Sequence, residues 1–288
     1  MIAVVLAVAA AACNALASVL QRRAARAVPD RKAFRMALIT DLIRRPVWLG
    51  GIVALIGGFV FQAAALSEGG LALVQPILIV ELPFTMILVS WMFGIRLDGR
   101  SWPAIGALTG GLALFLASAS PGPGDRSPGP TGWVIATVVT VGVVVALVAV
   151  SRLLVSGAAR PVALGMAAGL GFAFTATFMK ESTIVFETDP GTLLTSWEPY
   201  AMVAAGLVSL FLLQNALQSG TLVAAQPALT ITDPVASVVY GVALFGEDFR
   251  TGPWVVPELA GIGLIVYGSV LLAQSPPIRA QARAARER

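Results

Sequence analysis

The sequence predicts an all-α integral membrane protein with about nine transmembrane helices, built as two inverted four-helix repeats joined by a connector helix. Three observations predict it: a composition too apolar for water, nine apolar runs of spanning length, and two matching Gln-Pro helices at an offset of 151 residues.

Composition excludes the soluble classes. Of 288 residues, 57% are hydrophobic and 12% charged, with a mean hydropathy of +0.86. Soluble domains carry about 25% charged residues. The 29 glycines agree, because Gly is commoner in membrane helices than in soluble ones. Arginines far outnumber the two lysines, Lys32 and Lys180, and with the Ala and Pro excess this matches a high-GC bacterial coding bias. The formal charge of +4 does not indicate nucleic acid, since the basic residues concentrate in two segments suited to a membrane surface. There is no histidine and a single cysteine, Cys13, so an internal disulfide, a Cys/His zinc site and His-based catalysis are excluded. No cofactor is expected, and no enzymatic activity, because neither a nucleophile–base pair nor a metal centre is offered.

A membrane helix needs roughly 20 mostly apolar residues. The first run, 1–21, has no charge before it and Arg22 and Arg23 after it, the layout of a retained helix and not of a cleaved signal. The remaining runs are 46–66, 71–93, 101–119, 131–151, 161–180, 196–218, 221–245 and 253–273. Residues 33–45 are too short and too charged to span. Phe34, Leu38 and Leu42 share one face there, which predicts a helix lying on the membrane surface. The stretch 120–130, rich in Pro and Gly, is a loop between the halves.

Basic residues set the orientation. With the loop 22–45 in the cytoplasm, alternation also places Arg96, Arg100, Arg152, Arg160 and the four tail arginines inside. Only Arg126, Lys180 and Arg250 fall outside. The N-terminus is therefore expected outside and the C-terminus in the cytoplasm of a bacterial inner membrane. Trp48, Trp91, Trp102, Trp133, Trp197 and Trp254 all fall near span ends, where aromatic belts form.

The third and eighth spans repeat one pattern. Gln75-Pro76 answers Gln226-Pro227, and Pro83 answers Pro234. Phe93-Gly94 then answers Phe245-Gly246, and Trp102 answers Trp254, at an offset of 152. Gln62 pairs loosely with Gln214. Spans one to four thus match spans six to nine. A shift of five spans is odd, so the copies are inverted, as in secondary transporters built around a midplane site. The expected segments are the first repeat at 1–120, the loop and connector span at 121–160, the second repeat at 161–273 and a basic tail at 274–288.

These paired Gln-Pro helices, Phe245-Gly246-Glu247 and the Gly-rich last span over 261–269 resemble the drug/metabolite transporter superfamily. Halves of the EamA type usually have five spans, and here the second position of each half is degenerate, at 33–45 and 183–194. The nine-span layout looks more like the NIPA-type branch, whose animal members are associated with magnesium. Residues 18–23 and 177–182 sit where that branch has basic residues ending the first helix of each half, although Gln21 departs from the pattern. Glu247 matches a family acidic position, and Arg96 stands where the first half would carry its counterpart. The resemblance implies transport and does not name a substrate.

Chemistry should concentrate at intramembrane polar groups, because an acid at a helix centre costs roughly 2.5–3.5 kcal/mol on insertion scales. Glu81 and Asp233 lie deep in their spans, at adjacent repeat positions, each just before a proline. Proline removes a backbone donor and frees a carbonyl one turn earlier, so Pro76, Pro83, Pro227 and Pro234 are expected helix breaks. Gln226, Thr230, Asp233, Ser237 and Tyr240 share one helical face. Asn14, Ser18 and Gln21 form a shorter polar face, and Gln214 and Gln218 another. These stripes, with Gln75, either line a central polar pathway or bond helices together. Lys180-Glu181 is either an interfacial pair or a cation serving Asp233 or an anionic substrate group. Glu187, Asp189 and Glu198 form an acidic outer loop, which either attracts cations or is simply solvated. Neither lysine sits in a Gly-Lys-Ser/Thr step, so ATP is not hydrolysed by a P-loop.

The expected function is secondary transport of a small polar or cationic solute, with proton coupling through Asp233 or Glu81. A divalent cation such as Mg²⁺, held by Asp233, Glu81 and freed carbonyls, is the metal alternative, and a non-transporting scaffold or sensor the alternative of another class. The expected partners are the lipid bilayer and the solute, with a homodimer left open.

Overall fold

The computed structural model describes residues 1–26, 45–94, 99, 101–122, 124, 126–153, 159–219, 222–250 and 252–274. All but Arg45 of the surface helix expected over 33–45, and nearly all of the basic tail, lie outside them.

Ten α-helices follow one another among these residues: α1 (Ile2–Arg26), α2 (Pro46–Glu68), α3 (Leu71–Leu78), α4 (Glu81–Phe93), α5 (Ser101–Ala119), α6 (Pro130–Leu153), α7 (Ala159–Thr188), α8 (Glu198–Ser219), α9 (Leu222–Phe245) and α10 (Val255–Ala273). Taking α3 and α4 together, nine segments of the described residues are long and apolar enough to cross a membrane. The protein is thus an all-α, multi-pass membrane bundle. Its exposed faces agree: Val134, Ile135, Val138 and Val139 on α6, and Leu207, Leu210 and Phe211 on α8, are bare of protein. Apolar surface on this scale is at home in lipid and not in water.

One span runs longer than the sequence suggests. α7 has 30 residues and continues through Lys180 and Glu181 to Thr188. At 1.5 Å per residue it is about 45 Å long, against a hydrocarbon core of about 30 Å. No Gly or Pro interrupts residues 172–188, and both charged side chains find partners inside the protein. The chain turns only at Asp189, whose Oδ1 accepts from the Gly191 N–H at 3.0 Å and caps a short 3₁₀ turn, Pro190–Thr192.

The third span is interrupted, and the interruption falls at Ile79 and Val80. Pro83 has no N–H to return to the Ile79 carbonyl. The Leu82 N–H takes that carbonyl instead at 3.0 Å, and Val80 likewise bonds Ile77 at 3.0 Å. Both are the tighter i to i+3 bonds of a 3₁₀ turn. Pro76 sits inside α3 without ending it. The expected breaks at Pro227 and Pro234 are corrected, because α9 runs continuously through both prolines. Backbone contact with α7 accompanies this continuity: a Cβ on Gly165 would fall 2.6 Å from the Ala225 carbonyl, and one on Gly169 3.0 Å from that of Leu229.

The matched Phe-Gly pairs adopt matched conformations. Gly94 closes α4 at φ +65° and Gly246 closes α9 at φ +67°, the left-handed cap that glycine accepts without a Cβ penalty. The Gly246 N–H returns to the Val242 carbonyl at 3.2 Å.

The chain divides into two compact units. One comprises Met1–Ala65 and Ile77–Leu97, the other Leu66–Pro76 and Asp98–Arg288. In the first, α1 packs on α4. Polar side chains of α1 also lie against glycines of α2, Gln21 on Gly51 and Asn14 on Gly58. In the second, α7 packs against α6, α8 and α9, while α5 pairs with α10. The α5–α10 pair meets backbone to backbone. A Cβ on Gly111 would lie 2.7 Å from the Gly261 carbonyl, and one on Gly268 2.7 Å from the Leu108 nitrogen. Gly106 and Gly110, on the same α5, face open space. The close-contact stripe is one residue further round the helix.

Candidate functional site

The polar face of α9 is present as a row, and its members differ in how committed they are. Thr230, Ser237 and Tyr240 are buried, and Gln226 and Asp233 half-buried. Asp233 is the twelfth residue of a 24-residue helix, and so lies at its middle. The Ser237 hydroxyl donates to Asp233 Oδ1 at 3.4 Å. Among the described residues no Lys or Arg pairs with Asp233. α7 passes close by, since a Cβ on Gly169 would come 3.2 Å from the Asp233 nitrogen. Asp233 is thus an intramembrane carboxylate with one long hydrogen bond and, among the described residues, no paired cation.

Tyr240 is engaged elsewhere. Its hydroxyl lies 2.6 Å from Thr140 Oγ1 of α6. Thr140 gives its only proton to the Ala136 carbonyl at 2.6 Å, so Tyr240 is the donor between them. Its ring also packs on Phe174 at 5.5 Å. Tyr240 therefore ties α9 to α6 and α7.

Lys180 overturns the idea of an interfacial Lys180-Glu181 pair. It is 5% exposed, and its Nζ donates to Glu247 Oε1 at 2.7 Å. It also sits 4.5 Å from the centre of the Phe245 ring. The Glu247 carboxylate is buried and accepts two further bonds, from the Leu71 N–H at 2.7 Å and the Ala72 N–H at 2.8 Å. These are orphan donors of the first turn of α3, at the positive end of its dipole. Two glycines make room for the carboxylate. A Cβ on Gly70 would fall 2.5 Å from Glu247 Cδ, and one on Gly241 2.7 Å from the same atom. Glu247 thus joins α3, α7 and the end of α9 into one clamp. Beside it the Gly122 N–H donates to the Asp248 carbonyl at 3.0 Å and the Arg126 N–H to the Phe245 carbonyl at 3.2 Å. In the sequence Glu247 stands out only through the family resemblance. The local signal was the Phe-Gly-Glu cap, but its partners stand 67 and 176 positions away.

The other expected residues are scattered. Glu81 opens α4 in the first unit and is half-buried, and Asn14 is half-buried against Gly58 in the same unit. Gln75 belongs to the second unit, 4% exposed, with its Nε2 buried and unbonded. Gln214 is exposed on α8. No group of three or more His, Cys, Asp or Glu side chains able to hold a metal occurs among the described residues.

Comparison with known proteins adds a relative. The chain is 26% identical over 269 residues to an uncharacterized protein of Corynebacterium glutamicum, and the alignment covers 92% of each chain. No family model and no solved structure matches the chain.

Proposed function

We propose that this chain is a secondary transporter of the drug/metabolite transporter type, moving a small polar or cationic solute across a bacterial plasma membrane by alternating access. Coupling runs through Asp233, which exchanges a proton against solute. The observation that carries this reading is the state of Asp233. A carboxylate halfway along a spanning helix, with one 3.4 Å hydrogen bond and no paired cation among the described residues, is costly to keep. Lys180 is already bound to Glu247, so Asp233 is available to a proton or a cationic group.

The repeat supports the same reading. Gly94 and Gly246 cap corresponding helices in the same left-handed conformation, while one copy is interrupted at Ile79 and Val80 and the other is continuous. Unlike conformations of two related copies are what alternating access requires, since identical copies would leave both gates alike.

The test is flux in proteoliposomes under an imposed pH gradient, read by an internal pH dye, across a panel of organic cations, zwitterions and Mg²⁺. Wild type should show proton flux that depends on one solute class. Asp233→Asn should reduce that flux about a hundredfold or more, the usual scale for loss of a proton-transferring group. Undiminished coupled flux in the variant would sink the role given to Asp233. A chain that moves none of these solutes would be a scaffold and not a transporter.

A further inference from the structure

One end of the second unit holds a cavity of about 540 Å³ that the transport reading does not use. It lies where α6 begins and α7 and α8 approach each other. Trp133, Trp197, Glu181 and Glu198 line it among prolines and valines. We propose that this cavity binds an organic ammonium cation.

The aromatic part is built and not incidental. Trp133 stacks on Phe178 at 5.0 Å and 11°. Trp197 stands edge-on to both, 5.4 Å from Trp133 at 89° and 5.6 Å from Phe178 at 82°. Trp faces are the best aromatic partners for a cation.

Among the described residues neither acid of the cavity forms an ion pair. Glu181 is 6% exposed, its Oε1 accepts from the Ser127 hydroxyl at 2.8 Å, and its Oε2 is buried without a hydrogen bond. Glu198 also has a buried Oε2 without a bond. Lys180, the neighbour of Glu181 in sequence, is bound to Glu247 instead. Two carboxylates on one wall, each with an unsatisfied oxygen, call for a positive ligand.

The lining selects the kind of cation. Mg²⁺ and Ca²⁺ want six or more oxygens, whereas these walls offer two carboxylates and the Thr137 hydroxyl among apolar groups. An alkylammonium suits the mixture, its charge against the acids and its methyl or methylene groups against the indoles. The volume is within the range of about 300–1,000 Å³ for small-molecule sites. The ammonium group has two sources. A free cation would enter from water, whereas a phospholipid headgroup would enter sideways, past Val134 and Val138, which line the cavity and are exposed on α6.

The site is distinct from Asp233, so its test separates from that of transport. The purified full-length chain in detergent is titrated with choline, with tetraethylammonium, and with 3,3-dimethylbutan-1-ol, the uncharged isostere of choline. Binding is read by calorimetry and tryptophan fluorescence. The cations should bind saturably, and the neutral isostere at least about tenfold more weakly. Glu181→Gln and Glu198→Gln should each weaken cation binding about tenfold. In a second arm, the chain in phosphatidylglycerol nanodiscs is offered phosphatidylethanolamine, and retained lipid is identified by native mass spectrometry. Selective retention of the ammonium lipid, lost in Glu181→Gln, assigns the site to a headgroup. The isostere comparison uses wild type alone, so misfolding of a variant does not protect the proposal. Equal binding of choline and its isostere, together with no preference between the two lipids, overturns it.

Discussion

Replacing Lys180 by methionine should destabilise the protein by about 3–5 kcal/mol, because it leaves the Glu247 carboxylate buried without its cation. The mirror replacement, Glu247→Gln, should cost a similar amount by stranding the ammonium. Glu247→Ala should be the worst of the series, since it also removes the acceptor for the Leu71 and Ala72 N–H groups. The informative variant is the double replacement Lys180→Met with Glu247→Gln. It removes both charges while the Gln amide oxygen can still accept a backbone proton, so it should recover most of the loss. Replacing both members of a buried pair by neutral groups is often close to neutral. Fluorescence-monitored unfolding in detergent gives the order, and the wild-type midpoint should hardly respond to salt, because a buried pair is little screened. Should Lys180→Met unfold within about 1 kcal/mol of wild type, the pair is a surface-grade contact and the clamp is not what joins α3, α7 and α9.

The contrast between what was legible and what was not follows the same residues. Span number and placement were legible because length and hydropathy are properties of consecutive residues, and the nine predicted runs correspond to the nine spanning segments. The extra length of α7 was not, because Lys180 and Glu181 read locally as the polar end of a span. Their partners in the protein, Glu247 and Ser127, are distant in sequence. Proline chemistry was legible only in part. Pro83 and Pro234 carry the same local message, yet the chain yields near one and not at the other. Deletion of one backbone bond permits a break, and packing such as that of Gly165 and Gly169 against α9 bears on whether it is taken. Among the candidate residues, the sequence identified Asp233 as a carboxylate inside a span. It had no means of showing that Tyr240 bonds Thr140, which lies 100 positions away on another helix.

The same limit applies to the glycines of α5, and here two adjacent positions should respond with opposite sign. Gly110 and Gly111 are both glycines in the interior of a helix, so exchange for alanine gains the same propensity at each, up to about 1 kcal/mol. At Gly110 nothing lies within 4 Å of the new methyl, and the variant should be as stable as wild type or more so. At Gly111 the methyl would sit 2.7 Å from the Gly261 carbonyl and 2.9 Å from the Ile265 nitrogen. Both are backbone atoms of a packed helix and cannot swing aside as a flexible side chain would. α5 and α10 must then separate, and overpacking of this kind costs about 1–3 kcal/mol. Close backbone approach through small residues is a main source of helix association in lipid, where the hydrophobic effect between helices is missing, so the separation is not readily offset. Gly261→Ala should behave like Gly111→Ala, its methyl falling 2.7 Å from the Phe115 nitrogen. Thermal midpoints of the three variants in one detergent decide the matter. A shared direction at Gly110 and Gly111 would mean that propensity, and not the α5–α10 contact, governs this part of the bundle.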